Sequence, residues 1–185
     1  MSLYSVTALL ILDHTGKRIF AKYYSPPHDT EVPKLTLAEQ LKFEKGLFEK
    51  TSRQNNDILI YDNELVVYKA LMGPKIYMVC PPEENEAMMF QALMGIRDAL
   101  DVLLESQTDR DALMANYDRV TITIDESIDN GILLESEFNV ISSRVTQEAN
   151  EEPSLQNIDF TEKGLRSMFG FAREKLSQVV KQQLT

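Results

Sequence analysis

The sequence is poor in the residues that build metal sites and redox centres. It has one cysteine, two histidines and no tryptophan among 185 residues. A lone cysteine, Cys80, excludes an intramolecular disulfide and fits a reducing compartment. Neither His14 nor His28 has a ligand-type neighbour at metal-binding spacing, so we expect both in surface loops. The sequence therefore predicts no metal site, and it favours a buried structural role for Cys80.

Long apolar runs and phosphate-binding loops are also missing. The longest apolar run, residues 8–12, is far too short to cross a bilayer, and the first five residues lack the pattern of a secretory signal. No glycine-rich phosphate loop and no dinucleotide fingerprint is present. We therefore expect a cytosolic protein that has no cofactor and no enzymatic activity of its own.

Positive charge is scarce, since 19 Lys and Arg stand against 29 Asp and Glu, for a net charge of −10. Binding to nucleic acid rests on Lys and Arg, so nucleic acid is not expected as the main ligand. A surface of this charge also disfavours general adhesion to anionic lipid, although a local basic patch could still contact a membrane.

The first half of the chain shows the pattern of an antiparallel sheet with one helix. Residues 3–12 and 18–24 read as two strands around a turn at Gly16, and the Thr36-x-x-Glu39 capping box starts a helix. Short turns then separate three further strands at residues 58–61, 65–72 and 75–80. This order, ββαβββ, predicts an α+β domain with five antiparallel strands flanked by helices.

The second half is predicted to be helical. Apolar residues at helical spacing indicate one helix over residues 85–104 and another over 113–128, the latter capped by Asn130 and Gly131. We divide the chain into a domain at residues 1–146, an acidic linker at 147–160 and a C-terminal amphipathic helix at 161–185.

Five residues are candidates for contact with a partner protein. Phe90, Met94 and Val102 intrude on the polar side of the 85–104 helix, and Leu3 and Tyr4 begin the first predicted strand. Exposed apolar patches often mark interfaces, and Met suits an adaptable surface. The alternative is that the C-terminal part of the chain packs over this helix.

Several segments together resemble the small-chain family of vesicle coats, which comprises the clathrin adaptor sigma chains and the coatomer zeta subunits. They are residues 8–13 (Ala-Leu-Leu-Ile-Leu-Asp), 16–24, 116–120, 124–131 and 132–136. Residues 61–69 and 129–135 look more like the zeta branch, as does the tail beyond residue 147. The resemblance covers residues 1–146.

This resemblance implies a longin-like fold and a structural role in a coat. It implies pairing with the large gamma subunit of coatomer, recruitment by an Arf-family GTPase, and retrograde Golgi-to-ER and intra-Golgi transport on Golgi membranes. The alternatives are a sigma chain that contributes to binding of dileucine cargo signals, and a longin-type regulator of a small GTPase. Asn116 and Val120 match the helix that helps form the sigma cargo pocket, but Asp118 and Arg119 lie between them, so we do not carry that activity over.

Overall fold

The central element is a five-stranded antiparallel sheet, as predicted. The computed structural model describes residues 3–25, 35–53 and 56–150, with the backbone alone for residues 147–150. The spatial strand order is β2-β1-β5-β4-β3. The strands are β1 (Ala8–Leu12), β2 (Arg18–Tyr23), β3 (Ile58–Tyr61), β4 (Glu64–Ala70) and β5 (Lys75–Cys80).

The first strand is shorter than the sequence predicted. All five residues of β1 are buried, as expected for a strand covered on both faces. The segment before it turns away to other partners: the Val6 N–H donates to the Gly131 carbonyl at 3.0 Å. Placing Leu3 and Tyr4 on the first strand was therefore wrong, because both precede it.

One helix, α1 (Leu37–Thr51), covers one face of the sheet. Its capping box forms as predicted: the Thr36 hydroxyl accepts from the Glu39 N–H at 3.4 Å, and the Glu39 carboxylate accepts from the Thr36 N–H at 2.8 Å. Only part of the apolar stripe of α1 is buried. Leu37 and Leu41 are exposed, and the buried residues of the helix are Glu44, Leu47 and Thr51.

The opposite face carries α2 (Glu86–Leu103), α3 (Arg110–Ala115) and α4 (Tyr117–Ser127). We expected α3 and α4 to be one helix. The backbone of Asn116, at φ −115° and ψ 37°, breaks the helix between them. Three hydroxyl groups of α4 donate to the carbonyl four residues earlier, which satisfies polar side chains in a helix that packs on the core: Thr121, Thr123 and Ser127.

Asn130 and Gly131 form a hairpin turn and not the predicted helix cap. They connect two short antiparallel strands, β6 (Ile128–Asp129) and β7 (Ile132–Leu133). Both turn residues have positive φ, 48° and 87°, which a two-residue hairpin of this kind requires.

A fifth helix, α5 (Phe138–Asn150), was not predicted. It packs against α2 and α4. It continues through residues 147–150, which we had assigned to the linker. The rest of that linker and the predicted C-terminal helix lie outside the described residues.

Candidate partner-binding surface

Phe90 and Met94 lie on one flank of α2 and are both half-buried. Phe90 packs against the core beneath α2, and the Lys69 Nζ lies 5.7 Å from the centroid of its ring. Lys69 also pairs with Asp57 at 2.7 Å. The flank therefore presents the edges of two apolar side chains beside an ion pair.

Val102 stands apart from that flank. It is 56% exposed near the C-terminal end of α2. Twelve residues separate it from Phe90, which on a helix is a rise of about 18 Å and a rotation of roughly 120°. Leu3 is exposed and Tyr4 half-buried in the segment before β1. The structure thus brings Phe90 and Met94 together and separates Val102 from them.

The other side of α2 is covered by α5 and by the segment that leads into it. The buried residues on that side are small: Ala92, Gly95 and Ala99. A Cβ at Gly95 would overlap the Ser136 carbonyl oxygen, so the chain passes directly against the α2 backbone there. The alternative explanation, that a later segment of the chain packs over this helix, accounts for this side of α2 but not for Phe90 and Met94.

Exposed apolar side chains also occur where the sequence analysis did not place them. Two of these residues, Leu37 and Leu41, belong to the hydrophobic stripe of α1 and could have been recognised from it, because the N-terminal turns of a helix often extend past the sheet they cover. The others needed the tertiary structure. The set comprises Leu35, Leu37, Leu41, Ile60, Met72, Met88, Met114, Tyr117, Leu134 and Val140.

One end of the sheet is rich in carboxylates, and one cation lies beside it, the Lys50 Nζ at 5.5 Å from the centroid of the Tyr61 ring. Asp62 lies in the β3–β4 turn, Glu64 begins β4, and Glu83 follows β5. Burial raises the pKa of Glu64; the Thr7 hydroxyl opposes this shift, and the negative charges of Glu83 and Asp62 add to it. None of the three carboxylates forms an ion pair with a described residue.

Cysteine and histidine are the side chains most often used as nucleophiles, bases and metal ligands. Cys80 is fully buried, and burial raises the pKa of its thiol, with the charges of Glu84 and Glu64 adding to the shift. His14 is exposed, and His28 lies outside the described residues. Within the described ranges, no cluster of three or more His, Cys, Asp or Glu side chains could hold a metal ion. No helix there has the length and apolar character needed to cross a membrane.

Comparison with known proteins is decisive for the family. The family model of the clathrin adaptor complex small chain matches residues 5–152. Coatomer subunit zeta of Saccharomyces cerevisiae is 43% identical over 188 aligned residues, which cover 100% of this chain and 98% of that protein. The chain belongs to the zeta branch of the adaptor small-chain family. Coatomer subunit zeta-1 of Homo sapiens is 32% identical over 95% of this chain and 92% of its own length.

The fold agrees with this family. A chain from a homology model of the full-length AP-3 complex superimposes with a TM-score of 0.61 at 16% identity, covering 82% of this chain and 97% of that chain. At that identity the likeness concerns the fold alone. Membership of the small-chain family makes this chain a coat subunit, and it confirms the longin-like fold.

Proposed function

We propose that the chain is a non-enzymatic structural subunit of the coatomer coat that pairs with the large gamma subunit. The observation that carries the proposal is the 43% identity to yeast coatomer subunit zeta along the full length of both proteins. Identity at this level over the full length of both chains supports the same kind of partner for both.

The pairing is driven by burial of apolar surface. Phe90, Met94 and Val102, with Leu3 and Tyr4 as a second group, are the proposed contact residues. Each Å² of apolar area removed from water contributes about 25 cal/mol before the cost of association. The half-buried Phe90 and Met94 lose little conformational freedom on binding, because their neighbours already restrict them.

In the assembled coat the chain acts through its partner. The heterodimer forms part of the trunk that an Arf-family GTPase recruits, and the coat transports cargo from Golgi to ER and within the Golgi. The chain is therefore cytoplasmic and reaches the Golgi membrane and coated vesicles peripherally. Direct reading of dileucine signals is not part of the proposal, because the exposed Asp118 and Arg119 interrupt the match between Asn116 and Val120.

Co-expression of the full chain with the N-terminal solenoid of coatomer gamma, followed by size-exclusion chromatography, tests the pairing. A single 1:1 peak is the expected result. Binding only to a clathrin adaptor large chain would assign the sigma role instead, and catalysed nucleotide release from a small GTPase would assign the regulator role.

Point variants test the contact residues. Met94→Lys and Val102→Lys should weaken the heterodimer, since each places a charge in an apolar contact. Ala115→Lys is the matched control, because Ala115 is exposed on a different helix, α3, whereas exposed alanines of α2 such as Ala87 share the face of Phe90 and Met94. Equal affinity of all three variants would remove this part of α2 from the interface.

A further inference from the structure

The two outer strands of the sheet are protected to different degrees. β2 carries Arg18 and Lys22, both in ion pairs, and a register shift beside Leu12 interrupts its pairing with β1. Charged side chains and bulges are the devices by which edge strands resist pairing with other chains. β3 has neither: its sequence is Ile-Leu-Ile-Tyr, and all four residues pair with β4 in continuous register.

The register of β3 is fixed at both ends. At the start, the Tyr68 N–H donates to the Asp57 carbonyl at 2.8 Å. At the other end, Asp62 and Asn63 have positive φ, 52° and 63°, and form a two-residue hairpin turn that closes on a hydrogen-bonded pair. The two ends therefore fix the same register, and with it the residues of β3 whose backbone groups hydrogen-bond to β4.

The outward-facing groups follow from this register. Hydrogen bonding alternates along an antiparallel pair, so the backbone groups of Leu59 face β4 while those of Ile58 and Ile60 point away from the sheet. No described strand lies on that side. The Ile60 side chain is 54% exposed on the face that packs under α2, whereas Ile58 is half-buried against the core.

The charge beside this edge is negative. The carboxylates of Asp62 and Glu49 both act on Tyr61, the last residue of β3, and one cation lies beside them: the Lys50 Nζ is 5.5 Å from the centroid of the Tyr61 ring. A segment that docks here with a Lys or Arg next to its apolar residue would neutralise this end of the sheet. A second copy of this chain, with a net charge of −10, is a poor fit.

We propose that the free edge of β3 binds an extended segment of the large partner chain, which adds a sixth strand to the sheet. Strand addition satisfies the outward N–H and C=O groups of Ile58 and Ile60. Apolar side chains at alternate positions of the segment contact Ile60, and a basic residue pairs with Asp62 in the turn that ends β3. This inference rests on the proposed function, because it specifies one part of the contact with coatomer gamma.

Hydrogen exchange of the full chain, free and bound to coatomer gamma, tests the added strand. The Ile58 and Ile60 amides should exchange at least tenfold more slowly in the complex. Affinity provides the second measurement, with Ile60→Lys and Ile60→Pro as variants. Proline removes an N–H that the β3–β4 pairing does not use, so the hairpin survives. Met72→Lys is the control, because Met72 is similarly exposed in the turn after β4.

Tenfold or greater weakening by both Ile60 variants, with less than twofold for Met72→Lys, supports the strand. A complex that forms without protection of Ile60, or with Ile60→Lys behaving as the control, overturns it and leaves the proposed function intact. Absence of any complex contradicts both. Protection of Ile60 in the free chain that depends on concentration, or that is lost on deletion of residues 161–185, identifies another occupant and also overturns it.

Discussion

Arg18 of β2 and Glu44 of α1 join the sheet to the helix through a two-point ion pair. The Arg18 Nη2 lies 2.6 Å from the Glu44 Oε1, and its Nε lies 3.0 Å from Oε2. The Tyr23 hydroxyl donates to the same carboxylate at 2.9 Å. Glu44 is only 2% exposed, and a buried carboxylate is tolerated because these donors replace its water.

Replacing Glu44 with Ala should therefore destabilise the domain. The substitution leaves the Arg18 guanidinium unpaired, but Arg18 is partly exposed and can recover some hydration. We expect the free energy of unfolding in urea to fall by about 2 kcal/mol. Glu49→Ala, an exposed change on the same helix, should cost less than about 0.5 kcal/mol. Similar losses for the two variants would show that the ion pair contributes nothing.

The close approach at Gly95 gives a second prediction. Gly95→Ala pushes α2 away from the Ser136 carbonyl, so the Tm should drop and the free energy of unfolding should fall by about 2 kcal/mol. The amides of α5 should also exchange faster, because the packing of α5 against α2 is weakened. Gln91→Ala, which changes an exposed residue of α2, serves as the control. An unchanged Tm for Gly95→Ala would contradict the packing described for α5.

The parts of the fold that sequence reasoning predicted are those fixed by local chemistry. The Thr36 capping box starts α1 at the expected residue because its two hydrogen bonds are within one turn. The parts it missed depend on distant contacts. Asn130 and Gly131 suit a helix cap and a hairpin turn equally well, and the hydrogen bond between the Val6 N–H and the Gly131 carbonyl is formed with the hairpin.

Partner-binding residues were harder to predict for the same reason. The polar side of α2 could be recognised from sequence, but α5, which covers part of the helix, has a weak apolar pattern: its buried side includes Ser142 beside Ile141 and Val145. The exposure of Ile60 depends on β3 being the outermost strand. That position is a property of the strand order, which no local pattern encodes.

The acidic end of the sheet should make stability depend on pH. The pKa of Glu64 is raised in the folded state. Its contribution to the free energy of unfolding is therefore fully present at low pH, where the carboxyl is protonated in both states, and is lost as the pH rises through the folded-state pKa. Glu64→Gln should therefore increase the free energy of unfolding at about pH 7, and the gain should vanish near pH ~3.5, where both states are protonated. Urea titrations at several pH values measure this.

The control for that series is Glu105→Gln, which changes an exposed residue outside the acidic end. It should show no comparable gain at neutral pH. A Glu64→Gln variant that is less stable than the parent chain at neutral pH would mean that the ionised carboxylate is stabilising, contrary to the raised pKa.

The thiol of Cys80 should be unreactive towards alkylating reagents in the folded protein. Its thiol is buried, and the raised pKa keeps it protonated, whereas the thiolate is the reactive form. Iodoacetamide at about pH 8 should label it only after unfolding. Rapid labelling of the native chain, at a rate independent of global unfolding, would show that the end of β5 opens locally.

The most direct test of the central claim is a competition between large chains. The full chain, immobilised, is offered equimolar coatomer gamma and a clathrin adaptor large chain, and the bound fraction of each is measured by quantitative mass spectrometry. The account predicts that gamma occupies the chain and that added adaptor large chain does not displace it. Preferential capture of the adaptor chain, or capture of neither, would contradict the assignment of this chain to the coatomer coat.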